Sequence, residues 1–214
     1  MILTGSEEEK LLEAIENGNT KKVKSILKRS TKNKKILELN EKNEDGNYPL
    51  LRAIFYNIEI VQLLIEYANQ HQIILELNEK DKLGYYPLLR AIFKDNIEMV
   101  QLLIEYANQH QIILELNEKD DGWYPLSEAI HDNNIEIVQL LIEYANQHQI
   151  ILELNEKNKD GDYPLSEAIF KDNIKIVKLL IEYANQHQII LELNEKSKLE
   201  NIHFFGLFLG IILK

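Results

Sequence analysis

Four histidines recur once in every 38 or 39 residues, and a histidine ladder of this kind raises the question of metal binding. They are His71, His110, His148 and His187. Neighbouring helices of a stack lie about 8–10 Å apart, whereas zinc holds its nitrogen ligands at about 2 Å. Equivalent histidines of successive repeats therefore cannot share one ion. We expect no metal site and assign these side chains to a solvated helix end.

The carboxylates with the same period are also poor candidates for chemistry. They are Glu66, Glu105, Glu143 and Glu182, and at one per repeat they are too far apart for acid–base pairing. His131 and Asp132 are adjacent but have no nucleophile beside them in the sequence. The chain has no G-x-S-x-G elbow, phosphate-binding glycine loop or H-E-x-x-H motif. We therefore expect no enzyme activity and no cofactor.

Composition narrows the remaining classes of partner. Charged residues make up 28% and hydrophobic residues 45% of the 214 residues, as in an ordered domain. The formal charge of -11 disfavours nucleic acid and anionic lipid as partners. The chain has no cysteine, and "MILTGSEEEK" lacks the basic start and apolar core of a signal peptide. We expect a cytoplasmic, monomeric protein that does not bind membranes.

The chain is built from an internal repeat, which must position every side chain discussed above. Equivalent valines are Val23, Val61, Val100, Val138 and Val177. All four prolines, Pro49, Pro87, Pro125 and Pro164, occupy one phase of the repeat, and a glycine lies three residues before each. One such unit cannot bury its apolar face alone, so stacking of successive units is required.

Each repeat is predicted to hold two helices and a connecting loop. A short helix should begin at Pro87, because proline suits the first helical turn. Asp95 and Asn96 should end it, and a second helix should run from about Ile97 through His110. The segment "IILEL" then leads into an exposed loop, "NEKDKLG", which we call the finger, with a tight turn at its glycine.

The order glycine, "YPLLRA", "IEMVQLL", with its Pro-Leu-x-x-Ala core, resembles the ankyrin repeat. Residues 11–27 resemble a first ankyrin unit, with Gly18 between its helices and a capping box from Ser6 and Glu9. The glycine-containing finger argues against tetratricopeptide and HEAT-like stacks. The resemblance implies an all-α, ankyrin-like helical repeat solenoid at residues 6–194. Its five helix–turn–helix units span about 6–40, 41–78, 79–117, 118–155 and 156–194.

The sequence departs from the family pattern in two ways. The family usually places threonine before the proline and histidine after the leucine. This chain has Tyr48, Tyr86, Tyr124 and Tyr163, then Leu51, Leu89, Ser127 and Ser166. Tyrosine is a poor helix cap, so the hydrogen bonds that threonine supplies in the family are in question. The repeat also exceeds the usual length of about 33 residues, and we expect "NQHQIILEL" to lengthen the second helix or its exit.

Variation between repeats collects at the finger tip, at the residue after its glycine and at the end of the first helix, whereas "IEYANQHQIILELNEK" is repeated without change. The resemblance implies that the variable positions line a concave surface that meets partner proteins. The predicted protein-binding residues are Asn47, Arg52, Phe55, Tyr56, Lys82, Leu83, Tyr85, Arg90, Phe93, Lys94, Asp121, Trp123, Glu128, His131, Asp132, Asp162, Glu167, Phe170 and Lys171.

Within this face, we expect Tyr85 and Trp123 to lie side by side on adjacent fingers, as residue types that dominate binding hot spots. The first-helix arginines of repeats 2 and 3 give way to glutamates in repeats 4 and 5, which predicts a gradient from basic-aromatic to acidic. Two other interpretations stay open. Loops drift when little constrains them, and the phenylalanines that end the first helices could instead pack within the stack.

The C-terminal residues 195–214 form an apolar tail that breaks the repeat. The run is shorter than the about 20 residues of a membrane-spanning helix. Back-translating residues 201–214 and reading two bases later allows "YPLLRAI", in phase with a sixth repeat. We therefore hypothesise a frame-shifted sixth repeat and a truncated longer array, which a gene sequence incompatible with those codons would exclude.

The sequence thus predicts a non-enzymatic module that binds an unidentified protein through its finger and first-helix face. The alternative is a structural spacer, or a fragment of a longer array without a partner of its own. A third, weaker hypothesis is catalysis, which requires turnover or a bound cofactor.

Overall fold

The computed structural model describes residues 5–119 and 122–192, and ten α-helices and no β-strand lie in these ranges. In the first repeat, α1 spans Glu7–Glu16 and α2 spans Thr20–Lys32. The next repeats contain α3 Pro49–Tyr56 and α4 Ile58–His71, then α5 Pro87–Phe93 and α6 Ile97–His110. The last two contain α7 Pro125–His131 and α8 Ile135–His148, then α9 Pro164–Phe170 and α10 Ile174–His187.

The helices group into two compact units, which are described separately: residues 1–115 with α1–α6, and residues 116–214 with α7–α10. In the first unit, α1 contacts α3 and α3 contacts α5, while α2 contacts α4. In the second unit, α7 contacts α9 and α8 contacts α10. First helices therefore pack on first helices and second helices on second helices. The prediction of an all-α fold made of stacked helix pairs is confirmed.

The helix ends are where the sequence predicts them. Helix α5 begins at Pro87, and Asp95, with φ of 51°, separates it from α6. Helix α6 continues to His110 and ends at Gln111 in the left-handed conformation. Ser6 forms the predicted capping box with Glu9. The second helix of each repeat is capped at its N-terminus by an asparagine side chain, namely Asn19, Asn57, Asn96, Asn134 or Asn173.

The tyrosine before each proline has a role that sequence reasoning did not find. Tyr48, Tyr86 and Tyr163 make no side-chain cap. Instead, the hydroxyl of the fully buried Tyr48 donates to two backbone oxygens of the next repeat, that of Glu76 just before the finger at 3.0 Å and that of Glu79 in the finger at 3.1 Å. Tyr86 and Tyr124 donate to Glu115 and Glu156 oxygens, each at 3.0 Å. The hydroxyls of these tyrosines thus join successive repeats, although the tyrosines do not cap their own helices as the family's threonine does.

Two further side chains of the constant sequence also join successive repeats. The hydroxyl of Tyr106 accepts a hydrogen bond from the Leu75 N–H at 3.0 Å. Asn78 donates to the Ile113 oxygen at 2.8 Å and accepts from the Glu115 N–H at 3.2 Å. The same bonds recur at Tyr67, Tyr183, Asn40, Asn117 and Asn155. Constancy of this sequence therefore has a structural reason, because these side chains hold neighbouring backbones together.

The periodic histidines are less solvated than predicted. His110 and His187 bond Asn69 and Asn146 of the preceding repeats, at 3.1 and 3.0 Å. Each histidine also lies against the tyrosine four residues before it, with ring centroids 4.1–4.3 Å apart. In the described ranges, no three histidine or carboxylate side chains are grouped as a metal site, and no helix has the length and apolarity to cross a membrane. The predicted tail, 195–214, lies outside the described residues.

Candidate protein-binding face

In the first compact unit, aromatic rings and cations form a partly exposed surface at the ends of the first helices. Phe55 and Tyr56 are 41% and 40% exposed, with ring centroids 5.2 Å apart. Arg52 lies 3.1 Å from a Glu16 carboxylate oxygen through Nε, and it donates to the Tyr56 hydroxyl at 3.0 Å. These contacts hold the two rings beside a paired cation.

The same surface continues into the third repeat. The Lys94 ammonium lies 3.7 Å from the Phe55 ring centroid, which is cation–π geometry. Phe93, 50% exposed, lies edge-on to Tyr85 with centroids 5.7 Å apart. We call the six residues Arg52, Phe55, Tyr56, Tyr85, Phe93 and Lys94 the aromatic–cation patch.

Arg90 lies beneath this patch rather than on it. It is 7% exposed, and its guanidinium is 4.7 Å from the Tyr85 ring centroid and 2.5 Å from a carboxylate oxygen of Asp81. The other Asp81 oxygen accepts the N–H groups of Leu83 and Tyr85, at 2.9 and 3.0 Å. Burial lowers the pKa of Arg90, and the Asp81 charge opposes this effect. Arg90 therefore ties the finger to α5 and has little surface for a partner.

Asp81 is a site residue that sequence reasoning missed. Asn43 and Asn158 occupy its position in repeats 2 and 5 and accept the equivalent finger N–H groups. This finger position supplies a partner for the charged first-helix residue in two repeats: Asp81 accepts from Arg90, and Asn158 donates to Glu167 at 2.7 Å. In repeat 2, Asn43 stands nine residues before an arginine, so residue type alone would not have identified the site.

In the second compact unit, the predicted residues form a cluster of different chemistry. Trp123 lies edge-on to His131, with centroids 4.7 Å apart. His131 Nδ1 is 2.7 Å from a Glu167 oxygen, so α7 and α9 are joined by a hydrogen bond between these side chains. Glu167 is 6% exposed, and burial raises its pKa while the bond from His131 opposes the rise.

Glu128 on α7 is 5% exposed. Burial raises its pKa to about 7, and the charges of Asp132 and Glu167 act in the same direction while His131 opposes them. The two glutamates of the predicted acidic end are thus buried, as Arg90 is. The variable first-helix charges Arg90, Glu128 and Glu167 are therefore buried within the fold, and the exposed surface comes from the residues around them.

The remaining predicted residues are mostly at the surface. Leu83 and Phe170 are 72% and 76% exposed, and Lys82, Lys94 and Asp132 are exposed as well. Asn47, Asp162 and Lys171 are partly buried. Asp121 lies outside the described residues. Tyr85 belongs to the first unit and Trp123 to the second, and their proximity stays a prediction.

The family model for ankyrin repeats in three copies matches residues 11–113 and 109–190. These matches extend across most of the described helices, so the predicted resemblance is confirmed. No curated protein matches the chain.

Proposed function

We propose, since the chain belongs to the ankyrin-repeat family, that it binds a partner protein through its variable finger and first-helix face. Ankyrin repeats are generally protein–protein interaction modules. The proposal assigns binding to the aromatic–cation patch of the first unit, with the Trp123 and His131 surface of the second unit contributing. No catalytic step is assigned.

The observation that carries this proposal is the exposure of the aromatic–cation patch. Three of its rings keep 40–50% of their surface in solvent although burial of such rings is favourable. Aromatic and arginine side chains are the types that contribute most to interface affinity. The patch also lies at positions that change between repeats, whereas the tyrosines and asparagines that hold the backbones of successive repeats together are constant. Selection for a partner accounts for both features.

The test is affinity capture from a lysate of the source cell with Phe55→Ala/Phe93→Ala as the patch variant. Both rings are at exposed helix ends, so removing them should leave the fold intact. Ile74→Ala/Ile113→Ala is a matched control, because these side chains are 50% and 52% exposed but belong to the constant sequence. We expect a protein retained by the wild type and by the control but lost by the patch variant.

Helical content by circular dichroism should be the same in all three proteins. Equal capture by the patch variant and the control would contradict the proposed face. A lack of any saturable partner would favour the alternative of a structural spacer or an array fragment without its own partner.

A further inference from the structure

Four equivalent first-helix positions carry a charged side chain, and three of these have a partner side chain within their own compact unit. The four are Arg52, Arg90, Glu128 and Glu167. Arg52 is paired with Glu16 at 3.1 Å and Arg90 with Asp81 at 2.5 Å. Glu167 faces His131 and accepts a bond from Asn158. Buried charges are normally matched in this way.

Glu128 is the exception among the four. Its carboxyl accepts no hydrogen bond from any residue in the described ranges 5–119 and 122–192, although only 5% of the residue is exposed. The charges that act on it from Asp132 and Glu167 are negative. The one opposing group, His131, is already engaged by Glu167 at 2.7 Å.

We propose that Glu128 is the binding point for a basic side chain, lysine or arginine, of the partner protein. The inference rests on the proposed function, because it names the chemistry that the second unit recognises. A cation there would supply the partner that Arg52 and Arg90 find in carboxylates, and that Glu167 finds in the hydrogen bonds of His131 and Asn158. Asp132 adds a second negative charge, and the Trp123 ring beside His131 supplies an aromatic surface for the same cation.

A long basic side chain suits the depth of this carboxyl. Glu128 keeps a small exposed fraction, while the side chain of His131 is 39% exposed and Asp132 is exposed. The approach is therefore from the solvent side of α7. Lysine and arginine carry their charge at the end of an apolar stem, which can pass these neighbours while the charged end reaches the carboxyl.

Binding at this point should release protons near neutral pH. Burial raises the pKa of Glu128 to about 7, so part of the population holds a proton that an arriving cation displaces. The groups that act on Glu128 are Asp132 and His131 on α7 and Glu167 on α9. Helix α8, which also packs on α7, adds no charge to this set. Affinity for a cation should therefore increase as the pH rises toward 8.

The test uses the full chain and a synthetic peptide of alternating glycine and arginine. The matched control peptide carries citrulline, which has the shape of arginine without its charge. Trp123 is the only tryptophan of the chain, so its indole N–H resonance reports on this site alone. Calorimetry in two buffers of different ionisation enthalpy measures the protons released.

We expect the arginine peptide to shift the Trp123 resonance and to release protons at pH 7, and the citrulline peptide to do neither. Glu128→Gln should weaken binding about tenfold to hundredfold, as expected for loss of a charged hydrogen-bond partner. Glu136→Gln, an exposed carboxylate on α8, should leave affinity unchanged. Equal affinity of the wild type and Glu128→Gln would overturn the inference, because attraction would then come from the net negative charge.

The two proposals can fail separately. A partner captured through Phe55 and Phe93, together with no peptide response at Trp123, would reject the Glu128 site and keep the proposed function. A peptide response that Glu128→Gln abolishes, together with no captured partner, would reject the proposed function and keep the site.

Discussion

Burial of Glu128 predicts an unusual dependence of stability on pH, which Glu128→Gln should remove. The folded state raises the pKa of this carboxyl to about 7 from its usual 4.5. Between these two values, the unfolded chain has released the proton while the folded protein still holds it. The folded state therefore binds more protons, and its stability falls as the pH rises from about 4.5 to 7 and is constant above. The sign is opposite to that of a carboxylate held in a salt bridge.

The magnitude follows from the difference between the two pKa values. Each pKa unit corresponds to about 1.4 kcal/mol, so the loss approaches about 3 kcal/mol above neutral pH. Glutamine has nearly the same shape and carries no charge to desolvate. The gain in unfolding free energy of Glu128→Gln over the wild type should thus be near zero at pH 4.5 and about 2–3 kcal/mol at pH 8.

Urea unfolding at a series of pH values from 5 to 8 measures this difference. Trp123 fluorescence follows the second compact unit, and circular dichroism follows all helices. Glu136→Gln is the matched control, since its carboxylate is exposed and its removal should not change the slope with pH. A constant difference between Glu128→Gln and the wild type from pH 5 to 8 would refute the reasoning. Higher stability together with weaker peptide binding in the same variant would identify a carboxyl retained for function.

Two further predictions concern bonds that hold the first unit together. Tyr48→Phe removes the hydroxyl that donates to the backbone of the next repeat and should lower the unfolding free energy by about 1–2 kcal/mol. Tyr56→Phe, at a half-exposed ring, is the control and should lower it by less than about 0.5 kcal/mol. Equal losses in the two variants would contradict the role assigned to Tyr48. Arg90→Met should cost about 3 kcal/mol because it leaves the Asp81 carboxylate buried without a counter-charge. Adding Asp81→Asn to Arg90→Met should recover most of the lost unfolding free energy. A double variant as unstable as Arg90→Met would disprove the pairing of Arg90 with Asp81. Urea unfolding at pH 7 measures the tyrosine series and the Arg90 series alike.

The repeat architecture could be predicted from the sequence because its signals are local. Proline at the first helical position, asparagine or aspartate at the break and glycine in the finger each restrict their own backbone. Pro87, Asp95 and Gly84, with φ of 88° at the glycine, have the conformations that their types predict. These signals needed no knowledge of the neighbouring repeat.

The hydrogen bonds between repeats could not be predicted in the same way. Tyr48 is a poor helix cap by type, and only the structure shows that its hydroxyl reaches a finger about 30 residues later in the sequence. The direction of a side chain depends on its rotamer and on the separation of the stacked helices. A residue judged by its own helix therefore appeared to lack a function that it performs for the next repeat.

The candidate face was predicted in part, and the buried charges show where sequence reasoning was incomplete. Variability and aromatic type indicated Phe55 and Phe93, which are exposed. The same criteria selected Arg90 and Glu128, which are buried because position four of these short helices faces the fold. A change of residue at position four can therefore reflect a change of the side chain that it contacts within the protein as readily as a change of binding partner.

This distinction suggests how the variable face is organised. The residue that ends one first helix is matched to the charged position of the next repeat: Glu16 with Arg52 as an ion pair, and His131 with Glu167 as a hydrogen-bonded pair. Phe55, the last residue but one of α3, is equivalent to His131 in the repeat. Its ring centroid lies 5.9 Å from the Arg90 guanidinium, so a cation–π contact is the third kind of interaction at this pair of positions. A face residue therefore depends on its neighbouring repeat as well as on a partner. Changes on this face should be acquired in pairs, and the unmatched Glu128 is notable because no second residue of the described protein compensates for its charge.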